Sequence, residues 1–136
     1  NPATRSSITV TGSLRYTNYT GSDVLSLIAQ NNINIGLVSD NDLRIDAALF
    51  AQSGRVGRYY YAPPGGGSNR CSPNHARNSI TSYGMIGSYQ RYGFAYTDGT
   101  GYHDRFIIYD ANLLYGPPPS FPLTSDFYTI IYWNER

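Results

Sequence analysis

The sequence predicts an all-β protein, an irregular parallel β-solenoid of the β-helix kind, and three observations favour that class. Helix-forming residues are scarce, because the 136-residue chain has one glutamate and no lysine. Tyrosine and glycine, with 14 copies each, give a strand-and-turn composition. A strand–turn–strand phrase recurs three times, as LIAQNNINI, LFAQSGRVG and MIGSYQRYG, which is typical of folds that stack coils. The alternative is a β-sandwich in which three short apolar strands resemble one another by chance.

The first elements along the chain follow from alternation and turn signals. Residues 1–7 are polar, which is typical of a frayed or linker-like start. From Ile8 onward, apolar and polar residues alternate and predict a half-buried strand. The first copy of the phrase begins at Leu27 and breaks at Asn31-Asn32, because asparagine tolerates the left-handed backbone of a tight corner.

The repeated phrase carries large apolar residues at its first two positions, and these point to opposite faces of a strand. Strands that are apolar on both faces must be covered on both. The predicted alignment of the three copies places Leu27, Leu49 and Met85 on one face, and Ile28, Phe50 and Ile86 on the other.

The elements after the second copy are a long loop, the third copy, a hairpin and an apolar strand. The loop is rich in glycine, proline and serine, and loops of that length are functional or disordered. Asp98-Gly99 predicts the tight turn of the hairpin. Residues 105–109 are mostly large and apolar, and they predict a strand.

A Tyr/Pro-rich covering segment is predicted at residues 115–123. Its three consecutive prolines cannot donate backbone hydrogen bonds, which excludes an interior strand. Tyr115, Phe121 and Leu123 are apolar anchors with which it can cover the outer face of the repeated strands. Residues 127–133 then predict a closing strand.

Length and composition limit the number of domains, the class of partner and the chemistry that the chain can perform. The length fits one β domain over residues 1–136. The net charge is +1 and the ten arginines are spread evenly, so no basic stripe is present and nucleic acid is not an expected partner. The lack of lysine excludes a Walker-type phosphate loop and Schiff-base chemistry. Cys71 is the only cysteine, so no intrachain disulfide can form.

No constellation in the sequence predicts an enzyme, a cofactor or a metal site. His75 and His103 are the only histidines and lack a ligand spacing. Cys71 and His75 could act as nucleophile and base, but a loop rich in glycine and proline gives them no rigid support. We therefore predict no catalytic, cofactor-binding or metal-binding residues. Paired aspartates for sugar hydrolysis stay open, because spacing in sequence does not give their separation.

The abundant tyrosines predict an interaction surface. Aromatic rings can stack on sugars or anchor a protein partner, although in a small β protein they also pack strands. The candidate interaction residues are Tyr59, Tyr60, Tyr61, Tyr89 and Tyr92.

From Asp23 onward, the chain resembles the C-terminal region of bacterial envelope proteins of the PilX-like pilus-assembly group and of uncharacterised relatives in candidate-phylum bacteria. The stretches that carry the likeness are LSLIAQNNINIG, DLRIDAALFAQSGRVGRYYY, RYGFAYTDGTGYHDR and IIYDANLLYGPPPSFPLTSDFYTIIYW. The resemblance implies a non-enzymatic structural or interaction domain of a bacterial cell-surface or pilus-associated protein, located outside the cytoplasm.

A domain of this kind is expected to have protein partners. These are proteins of the cell envelope or the pilus, together with self-association. Contact with a membrane is expected only through an N-terminal helix that lies outside this sequence.

Two alternative functions are a carbohydrate-binding or carbohydrate-active β-helix and a self-assembling scaffold of the bactofilin type.

Overall fold

The computed structural model describes residues 5–114, and most of their regular structure is extended strand. One 3-10 helix, Ala111–Leu114, is the only helical segment among these residues. Seven strands precede it: β1 (Ile8–Val10), β2 (Ser26–Ala29), β3 (Ile33–Ile35), β4 (Asp42–Ala51), β5 (Val56–Arg58), β6 (Ala76–Ser88) and β7 (Gly101–Tyr109).

The strands form two sheets in which every pair of neighbours is parallel. The first sheet has the order β1-β3-β5, and the second has the order β2-β4-β6-β7. From β1 to β6, the chain therefore alternates between the two sheets. Among the described strands, β7 lies at one outer edge of the second sheet.

The predicted irregular β-solenoid is wrong, because the strands form two separate all-parallel sheets and not one coil of repeating length. Strand length varies from three residues in β5 to 13 in β6, and the second sheet has one strand more than the first. The all-parallel arrangement is otherwise typical of α/β proteins, but almost no helix accompanies it here. The alternative β-sandwich is also wrong, since neither sheet has an antiparallel pair among the described strands.

The repeated phrase falls into register for the first two copies only. Leu27 pairs with Leu49, as predicted. The third copy is shifted by one residue, because Ile86 and not Met85 lies opposite Leu49. The shift places Gly87 opposite Phe50, where a Cβ atom would overlap the phenylalanine ring. The space that Phe50 requires therefore explains why the predicted alignment of the third copy fails.

A second glycine in β6 tightens the contact between the two central strands. Gly84 pairs with Ala47 of β4 and has a φ of +146°, a backbone conformation that other residues rarely adopt. A Cβ at Gly84 would overlap the main-chain carbonyl of Ala47, which cannot rotate away as a side chain can. Only glycine therefore fits between β4 and β6 at this point.

The second sheet is covered by apolar side chains on both faces. Leu49 belongs to the main core, whereas its neighbour Ala48 belongs to a second cluster, as alternation along a strand requires. Leu113 from the 3-10 helix is fully buried in that second cluster. The main core contains Ile33, Ile35, Leu43, Ile45, Val56, Ile80, Phe94 and Tyr102, among others.

Two local predictions can be compared with the structure. The turn at Asp98-Gly99 is confirmed, because Tyr96 N–H donates to Thr100 O at 3.0 Å and Ala95 and Gly101 form an isolated antiparallel bridge. Ser6 lies in the predicted frayed start, yet its carbonyl accepts a hydrogen bond from the Asn31 N–H at 2.9 Å.

The predicted covering segment, residues 115–123, and the predicted closing strand, residues 127–133, lie outside the described residues. Within the described part of the chain, no helix has the length and apolar character needed to cross a bilayer.

Candidate interaction surface

A cleft lies beside β7. Residues 91–97 form one wall, and Arg105 and Ile107 of β7 form the other. Phe94 also lines the cleft, although it is only 1% exposed because most of its ring packs into the main core. The cleft has a volume of about 740 Å³, which is large enough for several side chains of a partner.

The wall formed by residues 91–97 is positioned by β5. Gly93 forms a parallel bridge with Gly57, the middle residue of β5. The Gly93 N–H donates to Val56 O at 3.2 Å, and the Arg58 N–H donates to Gly93 O at 3.0 Å. Residues around Gly93 therefore extend the first sheet by a short fourth segment.

Four of the five tyrosines of the predicted surface are exposed. The exposed fraction is 49% for Tyr59, 51% for Tyr60, 76% for Tyr89 and 44% for Tyr92. Tyr92 lines the cleft, and Tyr89 precedes it on the same segment of the chain. Tyr61, the fifth, is half-buried.

Tyr60 is held beside the cleft residue Tyr96 by an aromatic contact and by a hydrogen bond to a carboxylate. Its ring packs edge-to-face against Tyr96, with centroids 5.2 Å apart. Its hydroxyl donates to Asp98 Oδ2 at 2.7 Å, and the other Asp98 oxygen accepts from Thr100. This hydrogen bond raises the pKa of Tyr60, while the bonds from Tyr60 and Thr100 lower the pKa of Asp98.

Tyr96 was not among the predicted site residues, yet it connects the cleft to Tyr60 and to the last residue of β5, Arg58. Its hydroxyl donates to Arg58 O at 2.7 Å and accepts from Arg55 Nη2 at 3.1 Å. The same Arg55 nitrogen also donates to Arg58 O at 2.8 Å. The sequence gives no signal for this residue, because the link depends on the pairing of Gly93 with Gly57.

Tyr61 packs on a buried arginine instead of joining the exposed tyrosines. The Arg58 guanidinium lies between the Tyr61 and Tyr102 rings, at 5.0 and 5.6 Å from their centroids. Arg58 is 0% exposed, and its Nη atoms donate to the carbonyl oxygens of Leu37, Asn74 and His75 at 2.7–3.2 Å. Burial lowers the pKa of Arg58, but an arginine stays charged in proteins.

A second group of tyrosines lies elsewhere and serves packing. Asp46 is fully buried; it accepts hydrogen bonds from Arg44 Nε at 2.7 Å, from the Tyr16 N–H at 2.9 Å and from the Tyr19 hydroxyl. The Arg44 guanidinium also lies over the rings of Tyr19 and Tyr83, at 5.4 and 5.3 Å. These contacts bind the connector after β1 to the second sheet.

The outer strand β7 carries an apolar surface that the sequence analysis did not single out. Phe106 is 52% exposed, and Ile107 and Ile108 are each 44% exposed. Residues 105–109 were predicted as an apolar strand, but periodicity does not tell which strand of a sheet lies at its edge.

Potential metal ligands do not cluster in the described part of the chain. Among residues 5–114, no group of three or more histidine, cysteine, aspartate or glutamate residues could hold a metal ion. His103 is exposed and its Nδ1 lies 3.0 Å from Asp104 Oδ1. Cys71 is a free thiol.

The tyrosines predict a loss of stability in alkali. Burial, or a hydrogen bond to Asp46 or Asp98, raises the pKa of six tyrosines in the folded chain. Unfolded tyrosines lose their protons near pH ~10, so stability is fully present below that pH and falls as the pH rises toward the folded pKa values. The six are Tyr16, Tyr19, Tyr60, Tyr83, Tyr102 and Tyr109.

Tyrosinate absorbance and circular dichroism, recorded together during alkaline titration, measure this effect. We expect tyrosinate to appear cooperatively as the strand signal is lost. The chain has no lysine, so no lysine titration overlaps the tyrosinate signal. A gradual tyrosinate curve centred near pH ~10 with the strand signal intact would contradict the prediction.

Comparisons with known proteins identify no relative: no family model, no curated protein and no solved structure matches the chain.

Proposed function

We propose that the chain is a non-enzymatic interaction domain of a bacterial cell-surface or pilus-associated protein, and that it binds an envelope protein through the tyrosines at the cleft. The observation that carries the proposal is the exposure of Tyr92, which lines a cleft together with Arg91 and Arg105, and of Tyr60, whose ring packs on the cleft residue Tyr96. The position outside the cytoplasm rests on the resemblance of the four sequence stretches to PilX-like proteins.

The composition of the surface supports a protein partner. Tyrosine and arginine are enriched at the centres of protein interfaces, whereas lysine and glutamate are depleted there. Tyrosine contributes a large contact area while few rotatable bonds are ordered on binding. The surface combines exposed Tyr89 and Tyr92 with Arg91 and Arg105.

The charge of the surface indicates what the partner should present. Arg91 and Arg105 are both exposed at the cleft. The nearby carboxylate of Asp98 accepts hydrogen bonds from Tyr60 and Thr100. A partner surface that carries carboxylates beside apolar groups is therefore the best electrostatic match.

Site-specific crosslinking in the native cell tests the proposal. A photoreactive phenylalanine analogue is placed at Tyr89 or at Tyr92, and the crosslinked material is recovered from fractionated cells. We expect both positions to capture the same envelope protein, and the chain itself to be accessible to antibody on intact cells. Val38 is 67% exposed at a different site and provides the control position.

Affinity measurements with the purified partner then complete the test. Tyr92→Ser is expected to weaken binding by about fivefold or more, since truncating an aromatic anchor costs more than about 1 kcal/mol. Val38→Ser should leave the affinity unchanged. Equal crosslinking from Val38, or recovery of the chain in the cytoplasm, would contradict the proposal. If Tyr92→Ser instead abolished binding to a polysaccharide on a glycan array, the carbohydrate-binding alternative would be favoured.

A further inference from the structure

The connector between β1 and β2 carries an exposed asparagine in a tripeptide that can accept a sugar. Asn18-Tyr19-Thr20 is the only Asn-x-Ser/Thr triplet in the chain, and its middle residue is not proline. Triplets of this kind are the acceptors of N-linked glycans in surface loops of secreted proteins. Because the same letters also arise by chance, the conformation of the connector has to supply the evidence for a site.

The structure presents the triplet at the surface and anchors its middle residue. Asn18 and Thr20 are both exposed. The Tyr19 hydroxyl, in contrast, donates to the buried carboxylate of Asp46, and the Arg44 guanidinium lies 5.4 Å from the centre of the Tyr19 ring. The middle residue is thus attached to β4, while the residues on either side of it are accessible to an enzyme.

The main chain around the triplet is also held by specific contacts. Asp23 Oδ2 accepts hydrogen bonds from the Thr17 N–H at 2.8 Å and from the Asn18 N–H at 2.7 Å. Nearer to β1, Leu14 forms a parallel bridge with Ile45 of β4. The connector therefore has a defined conformation, although residues 15–25 form neither a strand nor a helix.

Within this turn, the Asn18 amide and the Thr20 hydroxyl are in direct contact. Asn18 Oδ1 accepts hydrogen bonds from the Thr20 N–H, at 2.7 Å, and from the Thr20 hydroxyl. A main-chain N–H can only donate, so the accepting amide atom is the oxygen. Asn18 Nδ2 donates no hydrogen bond within residues 5–114. One enzyme surface can therefore contact the hydroxyl and the free amide nitrogen together.

We propose that Asn18 is the acceptor of an N-linked glycan, which a glycosyltransferase adds from a sugar that is activated on a pyrophosphate. A bond forms between Asn18 Nδ2 and the anomeric carbon of the sugar, and the bond from that carbon to the pyrophosphate oxygen breaks. The pyrophosphate leaves with the bonding electron pair, and one Nδ2 proton passes to a base of the enzyme. The step involves no change of oxidation state.

A glycan at this position is compatible with the fold and with the proposed interaction surface. Asn18 is exposed, so the sugar extends into solvent and displaces no packed side chain. None of the residues that line the cleft belongs to the connector. The glycan site therefore does not rest on the proposed function, and binding through Tyr92 can be tested separately.

Mass spectrometry of the chain recovered from its native cells tests the proposal. Trypsin cuts after Arg15 and Arg44, which isolates the triplet in the peptide of residues 16–44. We expect this peptide to carry a glycan, and electron-transfer fragmentation to place the glycan on Asn18. The adduct should survive mild alkaline treatment, which releases sugars from serine and threonine.

Two substitutions of Thr20 separate recognition of the hydroxyl from folding. Thr20→Val keeps the shape of the side chain but should lower the occupancy of Asn18 at least about tenfold, because an enzyme site that bonds a hydroxyl rejects an analogue without one. Thr20→Ser keeps the hydroxyl and should retain the glycan. Both variants should keep the strand circular dichroism of the parent, since Thr20 is exposed.

Two incubations of the purified, unmodified chain identify the donor. One contains a nucleotide-activated hexose and the soluble cell extract, and the other contains the membrane fraction with its lipid-linked oligosaccharides. Transfer to Asn18 in the first incubation supports the proposal with a nucleotide pyrophosphate as donor. Transfer in the second supports it with a lipid pyrophosphate as donor.

Three results would overturn the proposal: an unmodified peptide 16–44 from native cells, a glycan on another residue only, or full occupancy of Asn18 in Thr20→Val. Asn18→Gln should lose the glycan and still crosslink through Tyr92. Loss of crosslinking in a fully glycosylated parent counts against the proposed function alone. An unglycosylated parent that crosslinks normally counts against the glycan site alone.

Discussion

Replacing Arg58 with methionine should lower the free energy of unfolding by about 3 kcal/mol or more. The guanidinium is fully buried and donates to three main-chain carbonyl oxygens, from Leu37, Asn74 and His75. Methionine fills much of the volume but leaves these carbonyls without their donor, and each hydrogen bond to a charged group is worth about 1.5–3 kcal/mol. Urea unfolding followed by circular dichroism measures the loss.

Two further substitutions identify the cause of that loss. Arg58→Lys keeps the charge but cannot reach three divergent carbonyls from one nitrogen, so it should be destabilised nearly as much. Arg15→Met removes an exposed arginine and should change the stability by no more than about 0.5 kcal/mol. If Arg58→Met unfolds at the same urea concentration as the parent, the arginine does not hold the loop before β6 against the sheets.

Gly84→Ala should destabilise the chain by about 3–5 kcal/mol, which is close to the whole stability of a small domain. The substitution forces a side chain into a backbone conformation with φ of +146° and into overlap with the Ala47 carbonyl. Relief requires β4 and β6 to separate, and these strands are the centre of the second sheet. Thermal unfolding by circular dichroism or calorimetry measures the effect.

A matched glycine separates the clash from the backbone strain. Gly67 also has a left-handed φ, +78°, but a Cβ there would meet nothing within 4 Å. Gly67→Ala should therefore cost only about 1–2 kcal/mol of backbone strain. Equal effects of the two substitutions would show that packing between β4 and β6 contributes little at Gly84.

Local features of the fold could be predicted from the sequence, whereas its architecture could not. The pairing of Leu27 with Leu49 follows from matching phrases, because both strands present the same pattern to each other. The predicted alignment of the third copy is wrong, because sequence similarity matched Met85 with Leu49. The size of the Phe50 ring instead selects the register in which Gly87 lies opposite Phe50. The division into two sheets depends on the lengths of the strands. Each length is set by the neighbouring strands with which a strand pairs, and the residue pattern of a single strand does not reveal it.

The candidate surface was predictable to the extent that it depends on residue type. Four of the five tyrosines chosen by residue type, namely Tyr59, Tyr60, Tyr89 and Tyr92, are exposed, and their role in binding stays a prediction. Tyr61 differs because the neighbouring Arg58 points inward and draws the ring over its guanidinium. The outer position of β7 among the described strands was missed, since the position of a strand within a sheet is a property of the assembled chain.

The all-parallel pairing also sets the order in which the chain can fold. Partners such as Leu43 and Ile80 are distant in sequence, and no described strand pair is a local hairpin that could nucleate folding. The entropy of closing long loops must therefore be overcome before any sheet contact forms, which makes folding slow. On the ribosome, at about 5–20 residues per second, the edge of β4 that pairs with β6 stays uncovered for on the order of seconds until β6 emerges. The risk of aggregation is thus highest during synthesis, and the rate of translation sets how long it lasts.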